Sequence, residues 1–252
     1  MLTRRVVVCL DVRGGRVVKG TQFVNLRDVG DPVEFATRYE REGVDEVVFL
    51  DISASAEDRG TLLDVARRTA EQLFIPLTIG GGIRSADDVG RALRAGADKV
   101  SINSAAVMRP EVLTEAAMRF GNQCIVASID AKRCGNSWRV YVKGGREQTT
   151  LDVITWAVEC VARGAGEILL TSIDRDGGRE GYDVDLTKAV TAVVDVPVVA
   201  SGGAGTAQHV CSVFLDGNAD AALLAGILHD GLITVRDVKR AMRDVRLPVR
   251  DA

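Results

Sequence analysis

Short apolar, β-branched runs recur along the chain, each bounded by turn or helix-start residues. They cover residues 5–11, 46–51, 76–80, 99–103, 124–130, 167–171, 197–201 and 219–224. Between them, apolar positions return at helical spacing over residues 32–42, 62–72, 86–95, 112–120, 151–163, 184–193, 207–215 and 235–243. Such an alternation predicts a parallel sheet, because parallel neighbours need a long crossover that a helix supplies. Most of the strands are apolar throughout, which fits a sheet covered on both faces. Closure into a (βα)8 TIM barrel meets both conditions, so the fold class is α/β and residues 1–252 are expected to form one domain. An open doubly wound sheet would call for GxGxxG after the first strand, and the chain has none there.

The pattern also repeats at a period of about 120 residues. CLDVRGGRVVKG around Asp11 echoes SIDAKRCGNSWRVYVKGG around Asp130. PLTIGGGIRSADDVGRAL echoes PVVASGGAGTAQHVCSVF, and GADKVSIN echoes NADAALLA. Two similar half-barrels follow, and with them a pseudo-symmetric mouth suited to a substrate with two similar ends.

Composition narrows the chemistry. A net charge of −3 is too balanced for a nucleic-acid surface. No apolar run approaches the roughly 18 residues of a membrane helix, and the first apolar stretch ends in Asp11 without a cleavage signature, so no membrane partner and a cytoplasmic location are expected. Five scattered cysteines without a CxxC read as reduced packing residues. The two histidines, His209 and His229, do not end strands, which leaves a catalytic triad or a His-ligated metal almost no material. Neither metal nor cofactor is expected, and acid–base work falls to carboxylates.

Barrel active sites are built at the C-terminal ends of the strands. There Asp11 ends the first predicted strand and Asp130 the fifth, opposite each other in an eight-strand ring. Either could be a helix cap or loop anchor, but their equivalence in the repeat favours an acid–base pair. Asp51 and Asp176 are secondary candidates. Gly80-Gly81-Gly82 follows the third strand and Ser201-Gly202-Gly203 the seventh. Glycines let backbone amides approach a phosphate closely, and a short helical turn after the next strand adds its own amides. Asn103-Ser104 and Ala225-Gly226 occupy those next positions, so two phosphate grips are expected. Thr171 ends the sixth strand, before a polar glycine-rich loop over 172–182 expected to be exposed and mobile. The first loop, 12–31, carries Lys19 and is long enough for a lid. Residues 133–149 resemble an inserted β-ribbon.

The runs CLDVRGGRVVKGTQF, NLRDVGDP, GGGIRS, GADKVSIN, SIDAKR, GAGEILLTSIDRDG and SGGAG resemble the cyclase (synthase) subunit of imidazole glycerol phosphate synthase. The similarity runs nearly end to end and is weakest over 134–148 and after Ile227. It implies a reaction of ammonia, delivered by a glutaminase subunit, with the ribulosyl form of a phosphoribosyl-formimino aminoimidazole carboxamide ribotide. The implied products are imidazole glycerol phosphate, for histidine synthesis, and aminoimidazole carboxamide ribotide. By the resemblance Asp11 and Asp130 are the acid–base pair, Lys19 is the loop lysine, and Thr171 and Asp176 line the pocket. A substrate contact often made by a hydroxyl in the ribbon region has no match in Val142-Lys143-Gly144-Gly145. Two alternatives use the same features: the sister ribosyl-to-ribulosyl isomerase, which needs no ammonia and no partner, and a non-catalytic sugar-phosphate sensor, which would not need paired aspartates.

Arg5, Glu46, Lys99 and Glu167 begin four strands and share the inward parity of those strands. Two cations and two anions therefore converge on the N-terminal opening, where mutual pairing can satisfy them. The resemblance implies a salt-bridged ammonia gate there, with the glutaminase docked on that face as a heterodimer; Asp98 and Gln123, near the same opening, are expected docking contacts.

Overall fold

The structure, a computed structural model, describes residues 2–21, 24–52 and 56–250, with side chains described outside 19–26 and 53–61. The first half runs β1 (Arg5–Arg13), β2 (Arg16–Thr21), β3 (Val24–Gly30), α1 (Pro32–Arg41), β4 (Glu46–Asp51), α2 (Ala56–Ala70), β5 (Leu77–Gly80), α3 (Ala86–Arg94), β6 (Lys99–Ile102), α4 (Ser104–Met108) and α5 (Glu111–Phe120). The second runs β7 (Ile125–Cys134), β8 (Ser137–Val142), β9 (Glu147–Asp152), α6 (Val153–Ala162), β10 (Glu167–Ser172), α7 (Val184–Thr191), β11 (Val198–Ser201), α8 (Ala207–Leu215), β12 (Ala221–Leu224), α9 (Gly226–His229) and α10 (Val235–Asp244). Strands β1, β4, β5, β6, β7, β10, β11 and β12 pair in parallel in that order, and β12 pairs back to β1, with Arg5 beside Ala221. The ring is closed, as the (βα)8 expectation required.

The half-barrel repeat survives in the backbone. Asp31 and Asp152 cap α1 and α6 with nearly equal dihedrals, φ −81°, ψ 128° and φ −77°, ψ 135°. Ser85 and Thr206 cap α3 and α8 at φ −149°, ψ 162° and φ −144°, ψ 166°, each side chain accepting from the amide three residues on.

Apolar side chains fill two separate spaces. Outward-facing residues such as Val8, Phe49, Ile79 and Leu170 pack under the helices. Inward-facing Val7, Cys9, Val48, Val126, Leu169, Val199, Ala221 and Leu223 form a second cluster inside the ring. This two-sided burial is why the strands read as continuous apolar runs.

Below the ring, the residue before β4, β6 and β12 is an aspartate that brackets the preceding barrel strand. Asp45 accepts from Val6 N at 2.8 Å, Asp98 from Leu77 N at 2.8 Å and Asp220 from Val198 N at 3.0 Å. Before β10 the same place holds Gly166, where a Cβ would lie 2.2 Å from the Asn122 carbonyl oxygen. Asp45 also accepts from Lys239 Nζ at 2.7 Å, a lysine only 1% exposed that reaches in from α10.

Two expectations change. Residues 12–31 are not a structureless loop: β1 continues to Arg13 and turns into the antiparallel pair β2 and β3. Gly14 and Gly15, at φ 54° and 75°, supply the two left-handed residues that a tight hairpin needs between Arg13 and Arg16. The loop after β10 is exposed only in its middle. Ser172 lies buried in the strand, and Tyr182 is buried with its hydroxyl donating to Leu223 O at 2.9 Å. The inserted ribbon is present: β7 runs on to Cys134 and pairs with β8, which pairs with β9.

Candidate active site

Side chains alternate along a strand, so the inward set of β1 is Arg5, Val7, Cys9 and Asp11. The apolar cluster fills the middle of that path, and Asp11 emerges above it. On the opposite side β7 brings up Asp130, registered beside Thr171 of β10, which in turn sits beside Ser201 of β11. Asp130 Oδ2 accepts from Asn103 Nδ2 at 2.9 Å. The other atom of that amide, Asn103 Oδ1, is buried without a hydrogen-bond partner among the described residues.

Burial pushes the Asp11 carboxyl up to about 7, and the negative charge of Asp176 adds to the effect. Burial likewise raises Asp130, to about 6, with Asp176 again raising it and the Asn103 donor pulling the other way. Asp176 is itself raised by burial, although the Gly177 amide favours its charged form. Its charge is felt by Asp11, Asp130 and, after burial and Asp11, by the Cys9 thiol. The loop after β10 therefore gathers three carboxylates at one mouth. Asp51 ends β4, and its carbonyl oxygen would be 2.2 Å from a Cβ on Gly81.

Gly81 and Gly82 hold φ 89° and 67°, and Gly202 and Gly203 hold 90° and 101°, all in the left-handed region that favours glycine. A Cβ on Gly203 would meet the Gly181 carbonyl oxygen at 2.2 Å, so these glycines also let neighbouring loops close up. Beyond them α4 and α9 start from matching, uncommon dihedrals: φ −116°, ψ −97° at Asn103 and φ −139°, ψ −85° at Ala225. Neither start has a side-chain cap hydrogen bond, unlike those of α3 and α8. Ser104 Oγ accepts the Lys143 amide at 2.9 Å, which ties the ribbon tip to the start of α4. Lys19 lies on β2, and its side chain is outside the described residues.

At the other end of the bore the four strand-start charges meet. Arg5 Nη1 lies 2.9 Å from Glu46 Oε2, and Arg5 Nη2 pairs with Glu167 Oε1. Lys99 Nζ lies 2.8 Å from Glu46 Oε2 and 2.7 Å from Glu167 Oε2. Thr78 Oγ1 donates to Glu46 Oε1 at 2.6 Å, and both glutamates are nearly sealed from solvent. Each cation bridges both anions, so the ring is closed. Asp98 spends one oxygen on Leu77 N, and Gln123 is exposed, with Nε2 donating to Phe120 O at 3.3 Å.

Both histidines have structural neighbours. His229 Nδ1 is 2.6 Å from Tyr39 Oη and its Nε2 is 3.0 Å from Cys9 O, while His209 Nδ1 accepts the Gly205 amide at 3.2 Å. Among the described residues no group of three or more His, Cys, Asp and Glu is arranged to hold a metal ion, and no helix is long and apolar enough to cross a membrane. Three charged residues near Gly226 carry little signal in the sequence. Arg179 pairs with Asp230, and Arg27 of β3 stands 3.8 Å from the same carboxylate. Their only signal was charge placed beside glycines or on the hairpin.

Residues 5–234 match the family described as "Histidine biosynthesis protein". A relative from Myxococcus xanthus (strain DK1622), named imidazole glycerol phosphate synthase subunit HisF, is 70% identical over 99% of both chains. Proteins of the same name from Anoxybacillus flavithermus and Trichormus variabilis are 58% and 56% identical, over 99% of this chain and 99% or more of theirs. The chain thus belongs to the histidine-biosynthesis family and, within it, to the cyclase subunits of imidazole glycerol phosphate synthase.

Proposed function

We propose that this chain turns the ribulosyl bis-phosphate substrate and ammonia into imidazole glycerol phosphate and aminoimidazole carboxamide ribotide, with Asp11 and Asp130 as its acid–base pair. The observation that carries this reading is the pair itself. Two repeat-equivalent carboxylates stand opposite each other above a sealed apolar bore, both held near neutral pKa by burial. A group poised near neutrality can both take and give a proton, which imine formation, ring closure and C–N cleavage each require. The Asn103 donor favours the ionised form of Asp130 and makes it the base; Asp11, without that donor, is the acid. Thr171 and Asp176 face the reacting centre between them.

In this reading one phosphate rests on Gly82, Asn103 and Ser104, and the other on Ser201, Gly202, Gly203, Ala225 and Gly226, and Lys19 is a further substrate-binding residue. A crystal soaked in phosphate is expected to hold two anions, one beside Gly82 and Asn103 and one beside Gly203 and Gly226. Anions at surface lysines alone would defeat the two-grip reading.

Ammonia enters from below. A neutral molecule crosses an apolar bore such as Val7, Val48, Val126 and Leu169 far more easily than ammonium does. The ring of Arg5, Glu46, Lys99 and Glu167 is the gate, and a glutaminase docks around it to form a heterodimer. The relatives' name, which calls each a subunit, supports an assembly. Leu2 and Phe74 stand beside strand starts on that face, 92% and 93% exposed, and add apolar docking area to Asp98 and Gln123. Replacing Lys99 with alanine is expected to impair glutamine-dependent turnover, or its coupling to glutamine hydrolysis, while largely sparing turnover on free ammonium. Equal loss of both activities would make the ring structural only.

A further inference from the structure

Arg179 is held in an unusual way. Its φ is +57°, a left-handed conformation uncommon for a residue with a side chain. The backbone is wedged in place, since a Cβ on Gly205 would lie 2.0 Å from the Arg179 carbonyl oxygen. The same loop is fastened to the glycine turn after β11 by the Gly181 amide, which donates to Gly203 O at 2.8 Å. The side chain then crosses to α9. Its Nη2 would be 4.0 Å from a Cβ on Gly226, the first residue of that helix, and it pairs with Asp230 at the helix's far end. Arg27, from the β2–β3 hairpin, brings a second guanidinium to 3.8 Å from Asp230. Two guanidiniums thus share the Asp230 carboxylate near Gly226, and an arginine fork matches phosphate oxygens.

We infer that Arg179 recognises the substrate phosphate at the second grip, and that Asp230 holds its guanidinium in waiting when no phosphate is bound. The inference rests on the two-grip reading above. Arginine hydrogen bonds to phosphate are charge-assisted and their loss is large, whereas the resting pair with Asp230 is half exposed and adds little by itself. Asp230 therefore competes with the phosphate for the same guanidinium.

The test uses titration calorimetry of the full chain with the ribulosyl substrate in ammonia-free buffer, where binding proceeds without turnover. Arg179→Ala is expected to raise Kd about tenfold or more. Arg179→Lys should recover part of the loss. Asp230→Asn should move the other way and lower Kd several-fold, and the double variant should behave like Arg179→Ala. If Arg179→Ala and Asp230→Asn weaken binding alike, the pair is merely structural and the inference is overturned; thermal melts of each variant separate that outcome from unfolding. NMR of the wild-type chain with inorganic phosphate separates the two layers. Shifts at the Gly203 and Gly226 amides that are unchanged in Arg179→Ala would sink only the role of Arg179. No response at those amides in the wild type would sink the second grip as well.

Discussion

Asparagine at Asp11 or at Asp130 is expected to lower turnover by about 10²- to 10⁴-fold, the span typical of losing a general acid or base, with little change in substrate affinity. The same substitutions should make the protein more stable above neutral pH. Asp11 titrates near 7 in the folded chain against an ordinary 3.8. Between those values the folded state holds a proton that the unfolded chain has released, so stability falls as pH rises through that window. The burden is absent below pH about 4 and full above about 7, and at roughly 1.4 kcal/mol per pK unit it is at most about 4 kcal/mol. Asp11→Asn should accordingly melt higher than the wild type at pH 8 and close to it at pH 4. At constant free ammonia, kcat/KM should trace a narrow bell with limbs near 6 and 7 that belong to the coupled carboxylates rather than to single residues. Bound phosphates add negative charge and raise both limbs, so the kcat profile should lie on the alkaline side of the kcat/KM profile. Near-normal turnover in either variant would remove that residue from the chemistry.

Lys239→Ala should give the largest loss of stability. It strips the partner from Asp45 and leaves a carboxylate 5% exposed beside the Val6 amide. Breaking a buried pair from one side costs about 3–5 kcal/mol. For a chain of this length that lowers Tm by roughly 6–20 °C. Combining it with Asp45→Asn should return much of the loss, since an amide oxygen still accepts from Val6 and no charge is left buried. A double variant no more stable than Lys239→Ala would place the damage in lost packing of the lysine stem instead.

The barrel was legible because its strands are apolar on both faces and its turns carry glycine, proline or helix caps. Asp11 and Asp130 stood out as polar ends of apolar runs at equivalent points of the repeat, and the convergence of the four ring charges followed from strand parity. Residues 12–31 were misread as a loop because Arg16, Lys19 and Arg27 mask the short apolar alternation of the hairpin, although Gly14-Gly15 is the turn it uses. Strand edges shifted by a residue or so where Pro76 and Pro197, which have no amide to donate, precede the ladder. The Lys239–Asp45 pair and the convergence on Asp230 could not be read. Each joins residues far apart in sequence, and nothing in local pattern marks which exposed-type residue a fold will bury or bring together.

The last barrel strand closes on the first: Arg5 pairs with Ala221, and Asp45 waits for Lys239. During synthesis at about 5–20 residues per second, β1 therefore presents an open edge for roughly 10–40 seconds. An unpaired apolar strand is a template for pairing with other chains. Any interruption of translation before β12 releases a product that carries this edge and a carboxylate with no cation to meet it. Such fragments are natural clients for chaperones and proteases, and the quality of the whole population depends on about the last eighth of the message being read.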